Sequence, residues 1–295
     1  MRYRKSVAVG ILCILSASVA ACGNDDATGD RKSGLPAYPV TPDVAIDSPV
    51  FKRAQRSGKL VIGSKSDQPF LASVDTDGNR SGFDIEIAKM VAADLGFSAD
   101  EIEFKTVRSD TREQAIARGD VDLYVGTYTM NAERRKKVDF AGPYHMAGAD
   151  LLVRMTEMNI DGPQTLKGMK VCSARGSTSL QEIKKPKYGA IAVELTGYHE
   201  CVRQLLDEKV DAVTTDDAIL MGFAAQQPLK LRVMGAPFTE EPYGIGMLKG
   251  DRALRDAVND ALEVHRDNGD IKEAFLATLG RSGSSYVEPP PLERY

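Results

Sequence analysis

Between Val121 and Phe140 the chain collects residue types suited to holding a small charged solute. Thr127, Thr129 and Asn131 bring short hydrogen-bonding side chains, and Arg134-Arg135-Lys136-Lys137 set four cations just behind them. Val121, Leu123 and Val125 alternate with Asp122, Tyr124 and Gly126, a period of two that predicts a strand running into this polar loop. Such a loop can hold an anion. A solvated basic turn after a strand end is the competing reading, and spacing alone does not separate the two. Gly176-Ser177-Thr178 precedes a predicted helix, so its N–H groups and the Thr178 hydroxyl could hold a carboxylate. Ser177 fits a plain helix cap equally well.

The elements that must position these residues form two similar sets. Leu60–Gly63 reads as a strand, Asp84–Leu95 as a helix with Ile87, Val91 and Leu95 on one face, Ile102–Val107 as a strand and Thr111–Arg118 as a helix stopped by Gly119. Val121–Val125 completes the first set. The second set runs strand Lys170–Ala174, helix Ser177–Lys185, strand Ala190–Leu195, helix Tyr198–Glu208 and strand Val210–Thr214. Alternating strands and helices predict two largely parallel sheets covered by helices, an α/β protein of two lobes. Ala149–Met155 leaves the first set, and Tyr243–Met247 with the helix Ala253–His265 follows the second. Returning that late strand and helix to the first lobe gives 51–148 plus 238–281 as lobe 1 and 149–237 as lobe 2, joined by two crossovers that make a hinge. After Gly280 the composition predicts a flexible tail over 282–295.

Composition excludes some functions. The 295 residues carry a formal charge of −4, which argues against nucleic acid as a partner. Arg2, Arg4 and Lys5 precede an uncharged run, Ser6–Ala21, too short for a comfortable membrane span and laid out as an export signal. Loss of those three cations would take −4 to −7, so an anion site must be built locally. Val19-Ala20-Ala21-Cys22 resembles a bacterial lipobox, which implies a signal over 1–21, a lipidated Cys22 and a protein held on the outer face of the cell membrane. Residues 22–50, with Pro36, Pro39, Pro42 and Pro49, read as a tether. With Cys13 in the signal and Cys22 acylated, Cys172 and Cys201 remain; an exported chain favours a disulfide between them over two reduced thiols. His145, His199 and His265 lack ligand spacing, and no dinucleotide fingerprint is present, so neither metal nor cofactor is expected.

Three ordered motifs carry a family resemblance over Lys59 to about Gly280. Gly82-Phe-Asp-Ile-Glu-Ile-Ala-Lys-Met-Val-Ala-Ala-Asp-Leu95, Thr127-Tyr-Thr-Met-Asn-Ala-Glu-Arg134 followed by Lys-Lys-Val-Asp-Phe, and Val210-Asp-Ala-Val-Thr-Thr-Asp-Asp-Ala-Ile-Leu220 resemble the polar amino-acid family of extracellular solute-binding proteins. The resemblance implies a bilobed type II periplasmic-binding fold with a two-strand hinge, closing as a monomer on a free amino acid for delivery to an ABC permease. It places Arg134 on the ligand carboxylate and Asp216 on the ammonium, with Thr127 and Thr129 adding first-lobe contacts. Arg112 stands at the arginine of the Asn-Arg motif of glutamate and aspartate binders, although Asp110-Thr111 replaces the asparagine. Ser64-Lys65-Ser66-Asp67-Gln68-Pro69 resembles the first loop of actinobacterial glutamate-binding lipoproteins, which brings in Lys65 and Gln68. The acid is thus expected as ligand, with glutamine or asparagine as alternatives and Arg175 as a further candidate cation. A sensor lipoprotein would have the same pocket. A cyclohexadienyl dehydratase on this fold would need a general acid that nothing in the sequence marks.

Overall fold

A computed structural model describes residues 37–295; the expected export signal over 1–21, the expected lipidation of Cys22 and the start of the expected tether lie outside the described residues. Among the described residues thirteen strands fall into three sheets. The first sheet contains β1 (Leu60–Ser64), β5 (Ile102–Thr106), β6 (Leu123–Tyr124), β7 (Val138–Ala147) and β13 (Glu241–Leu248), in the order β5-β1-β6-β13-β7. Here β1, β5 and β6 are parallel, and β13 runs antiparallel to both β6 and β7. The second contains β8 (Ala149–Arg154), β9 (Lys170–Ala174), β10 (Ile191–Leu195), β11 (Ala212–Asp216) and β12 (Leu231–Val233), in the order β10-β9-β11-β8-β12. Its strands β9, β10 and β11 are parallel, while β8 and β12 close the other edge antiparallel. A small sheet of β2 (Asp67–Gln68), β3 (Ala72–Val74) and β4 (Arg80–Ser81) follows β1. The chain is therefore α/β with two mixed sheets.

Among the described residues nine α-helices cover these sheets: α1 (Pro49–Ser57), α2 (Phe83–Asp94), α3 (Arg112–Arg118), α4 (Ala132–Arg135), α5 (Thr178–Ile183), α6 (Tyr198–Leu206), α7 (Asp217–Gln226), α8 (Arg252–Asp267) and α9 (Asp270–Ala277). Only Gly148 separates β7 from β8, and residues 234–240 lead from β12 back to β13. The two crossings are bonded to each other: Phe238 N–H donates to the Ala149 carbonyl at 2.8 Å, and Ala149 N–H to Thr239 Oγ1 at 2.9 Å. In the second lobe a disulfide joins Cys172 on β9 to Cys201 on α6, as the cysteine count predicts.

Both ends of the described chain correct the sequence reading. The tether does not extend to residue 50. Ser48 caps α1, accepting the Phe51 N–H at 3.0 Å, and Pro49 takes the first helical position, where a missing N–H costs nothing. Upstream of it, Tyr38 hydroxyl donates to Glu86 at 3.2 Å, Thr41 N–H donates to the Ala93 carbonyl at 2.9 Å, and Val44 and Ile46 pack on the core. Residues 282–295 are likewise laid on the body, Gly283, Ser284, Ser285 and Val287 bordering α7 and β12 of lobe 2 and the remainder lying against lobe 1. Tyr286 packs on Phe275 with ring centroids 5.3 Å apart, Glu293 N–H donates to the Gly142 carbonyl at 2.7 Å, and Phe140 N–H donates to the Tyr295 hydroxyl at 3.1 Å. The Arg255 and Arg135 guanidiniums lie 4.2 and 4.9 Å from the Tyr295 ring. Apolar and aromatic residues spaced among the prolines give each segment something to bury, which a count of Gly, Ser and Pro overlooks.

Candidate functional site

The carboxyl ends of the parallel strands of both sheets face one cleft, the usual place for a ligand in an open α/β sheet. Lobe 1 supplies Ser64 ending β1, Lys65 just after it, Gln68 in β2, Arg112 opening α3, the Thr127–Thr129 loop after β6 and Arg134 in α4. Lobe 2 supplies Gly176–Thr178 before α5, Tyr198 opening α6, and Thr215 and Asp216 closing β11.

Two buried guanidiniums dominate the lobe 1 face. Arg112 and Arg134 are 2% and 6% exposed. They flank one ring, with Tyr128 centred 4.1 Å from Arg112 Cζ and 5.1 Å from Arg134 Cζ. Each sends an Nη2–H to the Gly176 carbonyl at 3.3 Å, and each has its Nε near Glu113, at 3.8 and 3.7 Å. Arg134 also donates to the Thr129 carbonyl at 2.8 Å. Two cations thus share one carboxylate and one carbonyl of the opposite lobe. Burial and the Arg112 charge lower Arg134 to about 10, which leaves it charged at neutral pH.

Lys65 is buried beside them and donates to Ser109 Oγ at 2.6 Å. Burial first, and the Arg112 charge second, lower its ammonium to about 7. Gln68 Nε2 lies 3.1 Å from Thr127 Oγ1. Thr127 has φ of 45°, a strained left-handed conformation for a β-branched residue. Its N–H is held by Asp84 Oδ2 at 2.9 Å, while Asp84 Oδ1 accepts the Tyr144 hydroxyl at 2.8 Å. Asp84, in the first motif, therefore fixes the loop that presents Thr127 and Thr129, and burial raises it to about 7.

Asp216 stands on the lobe 2 side, 4% exposed. It accepts the Tyr243 hydroxyl at 2.6 Å and has Ser179 Oγ at 3.4 Å. Burial, then the Glu241 charge, raise its carboxyl to about 7. Ser177 behaves as the cap of α5: its oxygen accepts Leu180 N–H at 3.0 Å and lies 3.1 Å from Ser173 Oγ. Thr178 turns to the hinge strand and donates to Glu241 Oε2 at 2.8 Å. Arg175 is exposed, 3.9 Å from Glu194, and belongs to the rim. Gly176 has φ of +80°, and a Cβ there would meet the Asp110 backbone at 2.6 Å, so the lobes touch where only glycine fits.

Where the lobes meet, Arg112 and Arg134 reach the Gly176 carbonyl, Arg134 and Lys65 line cavities, Gln68 and Thr127 bond each other and Asp216 bonds Tyr243, while Ser177 caps α5 and Thr178 bonds Glu241. Tyr128, Glu113, Asp84, Glu241 and Tyr243 escaped the sequence reading. Tyr128, between the two threonines, and Asp84, an acid between Phe83 and Ile85 at a helix start, offered a signal; Glu113, Glu241 and Tyr243 become visible only when strands and helices distant in sequence meet. Among the described residues no group of three or more His, Cys, Asp or Glu is placed to hold a metal, and no helix is long and apolar enough to cross a membrane.

The family model for bacterial extracellular solute-binding proteins, family 3, matches residues 60–277. The chain is 36% identical to the glutamate-binding protein GluB of Corynebacterium glutamicum over 251 residues, 82% of this chain and 85% of that protein. It is 38% identical to the ABC transporter glutamine-binding protein GlnH of Bacillus subtilis over 258 residues, 87% of this chain and 90% of that one. Among solved structures, an ancestral arginine-binding protein bound to glutamine superposes with a TM-score of 0.71 at 33% identity, covering 76% of this chain and 98% of that one.

Proposed function

Because the chain belongs to family 3 of the bacterial extracellular solute-binding proteins, we propose that its cleft captures an acidic amino acid, glutamate or aspartate, and delivers it to an ABC permease. The observation that carries this reading is the balance of buried charge. Arg112 and Arg134 share one neighbouring carboxylate, Lys65 stands beside them, and Asp216, on the other lobe, lies within reach of the Arg134 charge. An α-amino dicarboxylate brings two carboxylates and one ammonium, the complement of that arrangement. Burying those charges unpaired would cost several kcal/mol each. Arg134 then takes the α-carboxylate in its planar fork, Asp216 the ammonium, and Arg112 with Lys65 the side-chain carboxylate. Among the described residues Ser64 Oγ, Arg112 Nε and Thr215 Oγ1 are buried without a hydrogen-bond partner and are further groups that a polar ligand can satisfy.

Glutamine competes as the ligand, since the chain resembles glutamate- and glutamine-binding proteins to a similar degree. Titration calorimetry with glutamate, aspartate, glutamine and asparagine, on wild type and Arg112→Gln, decides it. The acid should bind wild type more tightly, and the variant should lose about 2 to 4 kcal/mol for glutamate and much less for glutamine. Equal losses would return Arg112 to a supporting role. Lipid anchoring through Cys22 completes the proposal. Cys22→Ala should release the protein from the membrane fraction, and retention of the variant there would refute the anchor.

A further inference from the structure

At the junction of the lobes, in a cavity lined by Lys65, Asp67, Tyr198 and His199, one carboxylate of lobe 1 caps a helix of lobe 2. Asp67 Oδ2 accepts the Tyr198 N–H at 3.1 Å and lies 3.1 Å from His199 Nδ1. Tyr198 is the first residue of α6, and the preceding Gly197 has no side chain to cap the helix, so the cap comes from the opposite lobe. A helix start leaves its first N–H groups unsatisfied and carries partial positive charge, so a carboxylate is the favoured partner. Gly197 has ordinary extended dihedrals, and glycine is required there by space alone. A Cβ at 197 would lie 2.8 Å from Asp67 Oδ2 and 2.8 Å from His199 Nδ1, the two side chains that make the contact. Nearby on the same lobe, Tyr198 is buried and Cys201 is disulfide-bonded to β9, so the capped end of α6 is fixed to its own sheet.

We propose that Asp67 is a positioning residue for ligand retention: a latch across the lobes that caps α6 only when the cleft is closed, and so slows ligand escape without touching the ligand. The contact exists in one of the two states of a hinge, so its free energy enters the closed state alone. A group that favours the closed, binding-competent state raises apparent affinity by the population it shifts. Opening must break the Asp67 contacts before the ligand leaves, whereas encounter with the open cleft does not involve them. The effect therefore falls on dissociation.

This inference rests on the proposed binding of an amino acid in the cleft. The test is stopped-flow and equilibrium binding of glutamate and glutamine to wild type, Asp67→Ala, Gly197→Ala and the double variant. Asp67→Ala should raise the dissociation rate about tenfold, the usual weight of a hydrogen bond to a charged group, and change the association rate less than about twofold. Gly197→Ala should reproduce this by displacing the Asp67 carboxylate. In the double variant the losses should not add, because both substitutions remove one contact. The melting temperature without ligand should stay at the wild-type value in each variant, since the contact joins lobes rather than stabilising either. An unchanged dissociation rate in Asp67→Ala, or additive losses in the double variant, would overturn the latch while leaving the binding function standing. Absence of binding of any amino acid to wild type would overturn the functional reading and the latch with it.

Discussion

Acidification is expected to act with opposite signs on the two ends of the proposed ligand. Burial, with Glu241 second, raises Asp216 to about 7. Only its ionised form receives an ammonium, so binding below that pH must drive a proton off the carboxyl. From about pH 7.5 to about 5.5 the ionised fraction falls from roughly three quarters to roughly one thirtieth, so the dissociation constant for glutamine should rise about 25-fold. Lys65, lowered to about 7 by burial and by Arg112, gains a proton over the same interval. Its cationic fraction grows about fourfold, a gain felt only by a ligand whose side chain is anionic and adjacent. Glutamate should therefore weaken only about sixfold, and its advantage over glutamine should widen about fourfold. The assay is calorimetry of both ligands across this range, in buffers of different ionisation enthalpy so that protons released on binding are counted. Asp216→Asn should flatten the glutamine curve. A flat glutamine curve in wild type would refute Asp216 as the ammonium acceptor; parallel curves for the two ligands would remove Lys65 from side-chain recognition.

Arg134→Ala should cost about 3 to 5 kcal/mol of binding, roughly 150-fold to several thousandfold in calorimetry, because a ligand charge is left buried without a partner; near-native affinity would refute the assignment. Replacing Cys172 and Cys201 by serine should lower denaturant stability by about 3 to 4 kcal/mol in the chain-entropy model, and an unchanged midpoint would show that the bridge constrains nothing. Deleting residues 289–295 should lower stability by about 1 to 3 kcal/mol through loss of the Tyr295 and Glu293 contacts, with ligand affinity within about twofold of wild type. A deletion that leaves the melting curve unmoved would show that the tail contributes no net stability.

The strands and helices of the two repeated sets were legible because each carries its own periodicity. Lys170–Ala174 is read with its observed bounds, and the helix read as Asp84–Leu95 runs from Phe83 to Asp94. What escaped has its signal elsewhere in the chain. Ser48 reads as part of a proline-rich linker until its hydroxyl meets Asp251 at 2.6 Å, and Tyr295 as a loose end until two arginines lie against its ring. In the cleft, charge type was legible and engagement was not. Ser177 and Thr178 were plausible ligand donors by position, but Leu180 N–H and Glu241 take up their oxygens. Glu241 lies 63 residues from Thr178, beyond any local pattern.

The place of β13 between β6 and β7 sets an order of assembly. The sheet of lobe 1 cannot be completed until residue 248 has been made, whereas lobe 2 is contiguous and has all its strands by residue 233. A nascent chain emerging from its amino terminus therefore finishes the inserted lobe before its host. While the insert is unfolded, joining β7 to β13 means closing a loop of about 90 residues, an entropic cost of about 4 kcal/mol. Once it has folded, the two crossings lie side by side, with Phe238 N–H 2.8 Å from the Ala149 carbonyl, and most of that cost has already been met. The inserted lobe thereby acts as an internal template that delivers the last strand to its slot, and lesions in it should slow completion of a lobe they never touch.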